Sequence, residues 1–153
     1  MEAKYINPVL EAMMNVLKTM AKVDPKPGKL ALKNSKKAYG DVTGIMAMVS
    51  DKAKGSLAIT FTKPAILDIA KRMLGEDFTE INDMVTDLTG EITNMVTGGA
   101  KAIFESQGHD FNMSLPTVIS GENHSVEHKS DGPTIVLPFS IEAGDFFIEV
   151  CFE

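Results

Sequence analysis

The stretch GPTIVLPFSIEAGDFFIEVCFE, residues 132–153, alternates twice. Ile135, Leu137, Phe139 and Ile141 fall in step, and after a short turn so do Phe146, Ile148, Val150 and Phe152. Successive side chains on a strand point to opposite faces, so two such runs predict a pair of strands sharing one apolar face. Pro138 has no N–H to give to a ladder and places its strand at an edge or a bulge. Residues 41–62, DVTGIMAMVSDKAKGSLAITFT, predict a second hairpin. Its second strand alternates Leu57, Ile59 and Phe61 against Ser56, Ala58, Thr60 and Thr62.

The segments between these hairpins read at the helical period. Residues 3–22 set Ile6, Val9, Leu10, Met13, Val16, Leu17 and Met20 on one face. In KPAILDIAKRMLGED a proline opens a short helix, Ile66, Ile69, Ala70 and Met73 share a face, and Gly75 stops it. A long helix follows over about residues 82–107 and ends at Gly108. FNMSLPTVISG, residues 111–121, then predicts a short strand and a turn. The order of long helix, connector and hairpin thus occurs twice, in halves of about 1–75 and 82–153, with slight sequence identity between them. This predicts a single α+β domain over residues 1–153. It is pseudo-two-fold, with two long helices packed on one face of a largely antiparallel sheet.

A chain of 153 residues is long enough to bury roughly two thirds of the surface that its unfolded form exposes. With 44% hydrophobic and 24% charged residues it has the composition of an ordinary globular protein. It has no apolar run of about 18 residues and no charged-then-apolar leader, so insertion into a membrane is not expected. The net charge of −6 argues against nucleic acid, whose phosphates draw on a basic surface, and leaves proteins or small molecules as partners. Cys151, the single cysteine, reads as a strand residue and fits a reducing cytoplasm. Ten methionines and no tryptophan imply an adaptable core. Five lysines, at positions 26, 29, 33, 36 and 37, mark the connector after the first helix, which reads as solvated chain or an edge strand rather than a docking patch for an acidic partner.

The long helix carries a polar stripe. Glu91, Asn94, Gly98, Lys101 and Glu105 fall within about 40° either side of Asp87 at the helical period. Val85, Leu88, Ile92, Met95, Val96, Gly99 and Ile103 occupy a different arc and can face the sheet. Gly98 and Gly99 each cost a helix interior about 1 kcal/mol relative to alanine. Close packing on the sheet explains Gly99; Gly98 sits on the outer stripe, where a missing side chain lets another backbone approach. Spacing alone leaves a solvated helix face as the commoner meaning of such a stripe. A general acid and base pair made from Asp87 and Glu91 lacks the burial that drives two carboxylate pKa values apart.

The residues TDLTGEITNMVTGGAK resemble the helix motif of the CheC, CheX and FliY phosphatases of bacterial chemotaxis: Asp or Ser, three residues, Glu, two residues, Asn. Asp87, Glu91 and Asn94 stand at the motif positions. The downstream glycines, LPTVISG at 115–121 and the hairpins extend the likeness over nearly the whole chain. The first helix reads VLEAMMNVL, with Met14 where an asparagine would follow Glu11 and Asn15 one place late, so the resemblance is to the one-site CheX branch.

This resemblance implies hydrolysis of the aspartyl phosphate on a CheY-like response regulator. Asn94 would orient the attacking water, and Glu91 would anchor the regulator's active-site lysine. Asp87, Gly98 and Lys101 would belong to the docking face. It also implies a homodimer paired through its sheets, no cofactor bound by this chain, and Mg²⁺ held in the receiver's own site. The competing expectation is a non-catalytic receiver-binding or flagellar switch module like the middle domain of FliM, which shares the fold and lacks the Glu and Asn pair. His124 and His128, four apart in GENHSVEHKSDG, are not expected to bind metal, because that stretch is no convincing helix and has no third ligand nearby. His109 is expected to meet the last carbonyls of the long helix. No phosphate loop, serine elbow or dinucleotide fingerprint is present.

Overall fold

The computed structural model describes residues 3–122, 124–128 and 132–153. Helix α1 (Ala3–Val16) runs on through a π-helical turn, Leu17–Ala21. Two short strands, β1 (Lys26–Pro27) and β2 (Ala31–Leu32), precede the hairpin of β3 (Val42–Val49) and β4 (Lys54–Phe61). Helices α2 (Lys63–Leu74) and α3 (Asp83–Ser106) come next. The chain then forms β5 (Asn112–Met113), β6 (Thr117–Ser120) and the hairpin of β7 (Thr134–Ile141) and β8 (Gly144–Phe152). Across the sheet the order is β1-β7-β8-β4-β3-β5, with β2 also on β7 and β6 also on β3. Every one of these pairings is antiparallel. The fold is therefore α+β, with three α-helices among the described residues.

Alternation assigns the faces of the sheet. Leu57, Ile59 and Phe61 of β4 and Phe146, Ile148, Val150 and Phe152 of β8 enter one core. Ile6, Val9 and Met13 of α1, Ile66 and Ile69 of α2, and Val85, Ile92, Val96 and Phe104 of α3 complete it. The opposite face is covered in part by the chain itself. Residues 36–38 and 124–126 run together, with Val126 N–H donating to the Lys36 carbonyl at 2.6 Å and Ala38 N–H to the His124 carbonyl at 2.9 Å. Beneath this ribbon Ile45, Ala58 and Val126 form a small second cluster.

The flank of the sheet departs from expectation at β7 and in the connector. Strand β7 is not an edge, since β1 and β2 lie outside it; Pro138 is tolerated because it falls between those two short strands, where Gly28 N–H donates to its carbonyl at 2.8 Å. The lysine-rich connector is solvated or at the edge as expected, except for Lys33. Its ammonium is 2.7 Å from the carboxylate of the fully buried Glu149, whose other oxygen meets His128 Nε2 at 3.0 Å.

Helix α3 begins where the Asn82 side chain accepts the Val85 N–H at 3.0 Å. Thr89, Thr93 and Thr97, all buried, each donate a hydroxyl to the carbonyl four residues back, at 2.9, 2.8 and 2.7 Å. Buried hydroxyls satisfied within the helix let polar residues serve as core. Gly99 does not pack on the sheet: a β-carbon there would meet Ala12 of α1 at 3.2 Å. At the far end His109 N–H caps the Phe104 carbonyl at 2.8 Å, while its ring lies against Tyr5 instead of the other helix carbonyls.

Candidate functional site

Asp87, Glu91 and Asn94 are all exposed on the side of α3 turned away from the core. They line one open groove of ≈ 420 Å³ together with Thr86, Gly90, Leu115, Pro116 and Val118. None of the three polar side chains has a hydrogen-bond or ion-pair partner among the described residues. Asp87 and Glu91 are like charges at i,i+4, an arrangement that costs an isolated helix about 0.2–0.5 kcal/mol. A helix surface arranged only for stability would pair them with cations. Further along the stripe that pairing occurs, with Lys101 Nζ 3.5 Å from Glu105.

Gly98 faces open space, with no atom within 4 Å of where its β-carbon would lie apart from the helix's own nearby backbone. Packing inside the domain therefore does not explain it. Glu11 of α1 is exposed, but Met14 is half-buried against the core, and no asparagine accompanies Glu11 at the motif spacing.

The groove's second wall escaped the spacing argument because it comes from the edge of the sheet. Strand β5 pairs with β3 through Met113 and Met48, and Ser114 extends that register, its N–H donating to the Ala47 carbonyl at 3.1 Å. Strand β6 resumes with Thr117 opposite Ile45. Leu115 and Pro116 thus stand together against Met46 alone, a one-residue β-bulge. Gly90 lets this wall come close, since a β-carbon there would sit 3.2 Å from Val118 Cγ2. The signal in the sequence was the Leu-Pro pair, legible as a bulge only once both strands are aligned on β3.

Both ring nitrogens of the two spaced histidines have protein partners. His124 meets Thr43 Oγ1 at 2.6 Å and the Gly121 carbonyl at 2.8 Å, and His128 meets Ser56 Oγ and Glu149. They tie the ribbon to the sheet. Among the described residues no three His, Cys, Asp or Glu side chains converge to hold a metal ion, and no helix is long and apolar enough to cross a membrane.

An antiparallel α+β sheet fold thus carries Glu91 and Asn94 exposed on one face of its long helix, at the spacing of the motif. Residues 42–140 match the family model described as chemotaxis phosphatase CheX, and the chain belongs to that family. A CheC-like superfamily protein from Shewanella sp. PV-4 has a solved structure that superposes with a TM-score of 0.94, at 52% identity, over 100% of this chain and 99% of that one. The CheY-P phosphatase CheX of Thermotoga maritima is 22% identical over 96% of this chain and 94% of its own length. In the solved CheX–CheY–BeF₃–Mg²⁺ complex from Borrelia burgdorferi the matching chain has a TM-score of 0.82 and 24% identity, with 97% of each chain covered.

Proposed function

We propose that this protein dephosphorylates the aspartyl phosphate of a CheY-like response regulator in chemotaxis. The observation that carries the reading is the pairing of Glu91 with Asn94, exposed and unpartnered, on a groove of α3 open to a second protein. The names of the Thermotoga and Borrelia relatives support the substrate.

The chemistry suits these side chains. An acyl phosphate held with Mg²⁺ in the receiver's own site is already reactive, so the phosphatase need only bring water in line. The amide oxygen of Asn94 accepts a hydrogen bond from that water, and its neutrality avoids repulsion by the phosphoryl group. The water oxygen forms the new P–O bond while the bond to the aspartyl oxygen breaks, releasing inorganic phosphate. Glu91, being anionic, belongs beside the receiver's active-site lysine, where an ion pair sets how Asn94 enters. Asp87, Gly98 and Lys101 complete the docking face: Asp87 supports that face or the orientation of Glu91, Gly98 admits the partner's backbone, and Lys101 lies further along the stripe. This chain binds no cofactor of its own in the reaction.

The same reading includes a cytoplasmic homodimer joined through exposed sheet edges, and a pseudo-two-fold relation between the halves 1–75 and 82–153. The repeated order of helix, connector and hairpin supports the latter. Its rival is a FliM-like module that binds the receiver without turnover, and Glu91 with Asn94 favours the enzyme. Adding the protein to phosphorylated receiver tests this. Accelerated loss of receiver phosphate is expected, and binding with an unchanged phosphate lifetime would establish the rival.

A further inference from the structure

Leu115 is the most exposed large hydrophobic residue among the described residues, with 87% of its surface in solvent. A single exposed leucine is ordinary on a mobile loop. Leu115 is instead mounted on a braced support. Ser114 is held to Ala47 in both directions: its N–H donates to the Ala47 carbonyl at 3.1 Å, and its Oγ accepts the Ala47 N–H at 2.9 Å. The same Oγ donates to the Leu115 carbonyl at 3.2 Å, and two residues on the chain is back in register with β3. The backbone of Leu115 is thus fixed by the bulge while its side chain touches little. Bulges occur preferentially at sheet edges and beside functional sites, where they re-aim a side chain.

This side chain also shares the groove with Asp87, Glu91 and Asn94. Pro116 and Val118 continue the apolar wall. An apolar knob on a rigid mount beside unpaired polar groups is the anatomy of a protein interface, with an anchor to be desolvated at its centre and polar groups that fix orientation.

We propose that Leu115 is the apolar anchor of the receiver-docking surface, seated in an apolar recess of the receiver beside its aspartyl phosphate, and that it sets affinity and choice of receiver without taking part in phosphoryl transfer. The inference rests on the receiver-phosphatase reading above. Burying a leucine fully is worth about a tenfold to hundredfold factor in an association constant.

The test is Leu115→Ser, with Leu115→Met as the conservative control, measured on the full chain against a phosphorylated or beryllofluoride-activated CheY-like receiver. The expected result is a Kd and a KM about ten- to a hundredfold higher for the serine variant. The turnover rate at saturating receiver, the melting temperature and the sedimentation behaviour should stay unchanged, and methionine should restore most of the affinity. An unchanged Kd, or a loss confined to turnover at saturation, overturns the anchor role. A shift in oligomeric state that accounts for the weaker binding assigns Leu115 to a contact between copies of this chain and equally overturns it. Failure of the wild-type protein itself to bind or dephosphorylate the receiver removes the functional reading, and the anchor with it. Normal wild-type behaviour beside an unaffected serine variant removes the anchor alone.

Discussion

Gly44 on β3 lies directly beneath Thr93 of α3: a β-carbon at position 44 would land on Thr93 Oγ1. The neighbouring residue on the helix is Asn94, so this contact sets the height at which the candidate catalytic side chain stands above the sheet.

Gly44→Ala should therefore lift or twist α3, because the obstructing hydroxyl is buried and already donates to the Thr89 carbonyl at 2.8 Å. Overpacking of this kind costs about 1–3 kcal/mol. In a domain of this length that is a fall of about 2–4 °C in Tm for each kcal/mol. Phosphatase turnover should fall as well. Combining it with Thr93→Ala should recover part of the lost stability, since the two changes meet at one contact. Thermal melts of both single variants and the double variant check this.

Gly98→Leu should leave Tm unchanged or raise it slightly, because open space receives the side chain and leucine is the better helix former. Receiver binding should nevertheless drop sharply, since the new side chain stands one turn beyond Asn94 on the stripe proposed to dock the receiver. A lowered melting temperature with normal affinity of the folded protein would contradict the docking role.

Glu91→Ala should weaken both receiver binding and turnover. Raised ionic strength should reproduce part of the effect in the wild-type protein, because an ion pair between two molecules is screened by salt. Binding isotherms of wild type and variant across a salt series check this, and an alanine variant that binds fully and shows no change in salt dependence would remove the anchor role of Glu91.

The hairpins and the helices were legible because each repeats a simple period: two for β4 and β8, and 3.6 for α1 and α3. The stripe was legible for the same reason, since Asp87, Glu91 and Asn94 lie on one helix and need no tertiary information to be brought together. What stayed hidden depends on pairings distant in sequence. Lys33 and Glu149 are 116 residues apart, and nothing local distinguishes Lys33 from the four solvated lysines around it. Removing one member of so buried a pair leaves a charge stranded, which is why its burial matters to stability. Thr89, Thr93 and Thr97 are polar by residue type, and only the structure shows their buried hydroxyls closing on their own helix. The bulge at Leu115 and Pro116 is a mismatch of register between two strands, and no single segment displays it.

The central claim is that Asn94 acts on the attacking water and not on docking or folding. The most direct measurement compares wild type and Asn94→Ala for dephosphorylation of the receiver under single-turnover conditions, with receiver affinity determined on the same preparations. An exposed helix position tolerates alanine, so folding should be unchanged. Affinity should also remain near wild type, while the rate of phosphate loss falls by about 10²-fold or more, the scale expected when a reacting group is no longer positioned. Wild-type turnover by the Asn94→Ala protein, or a loss of rate wholly explained by weaker binding, would contradict the account.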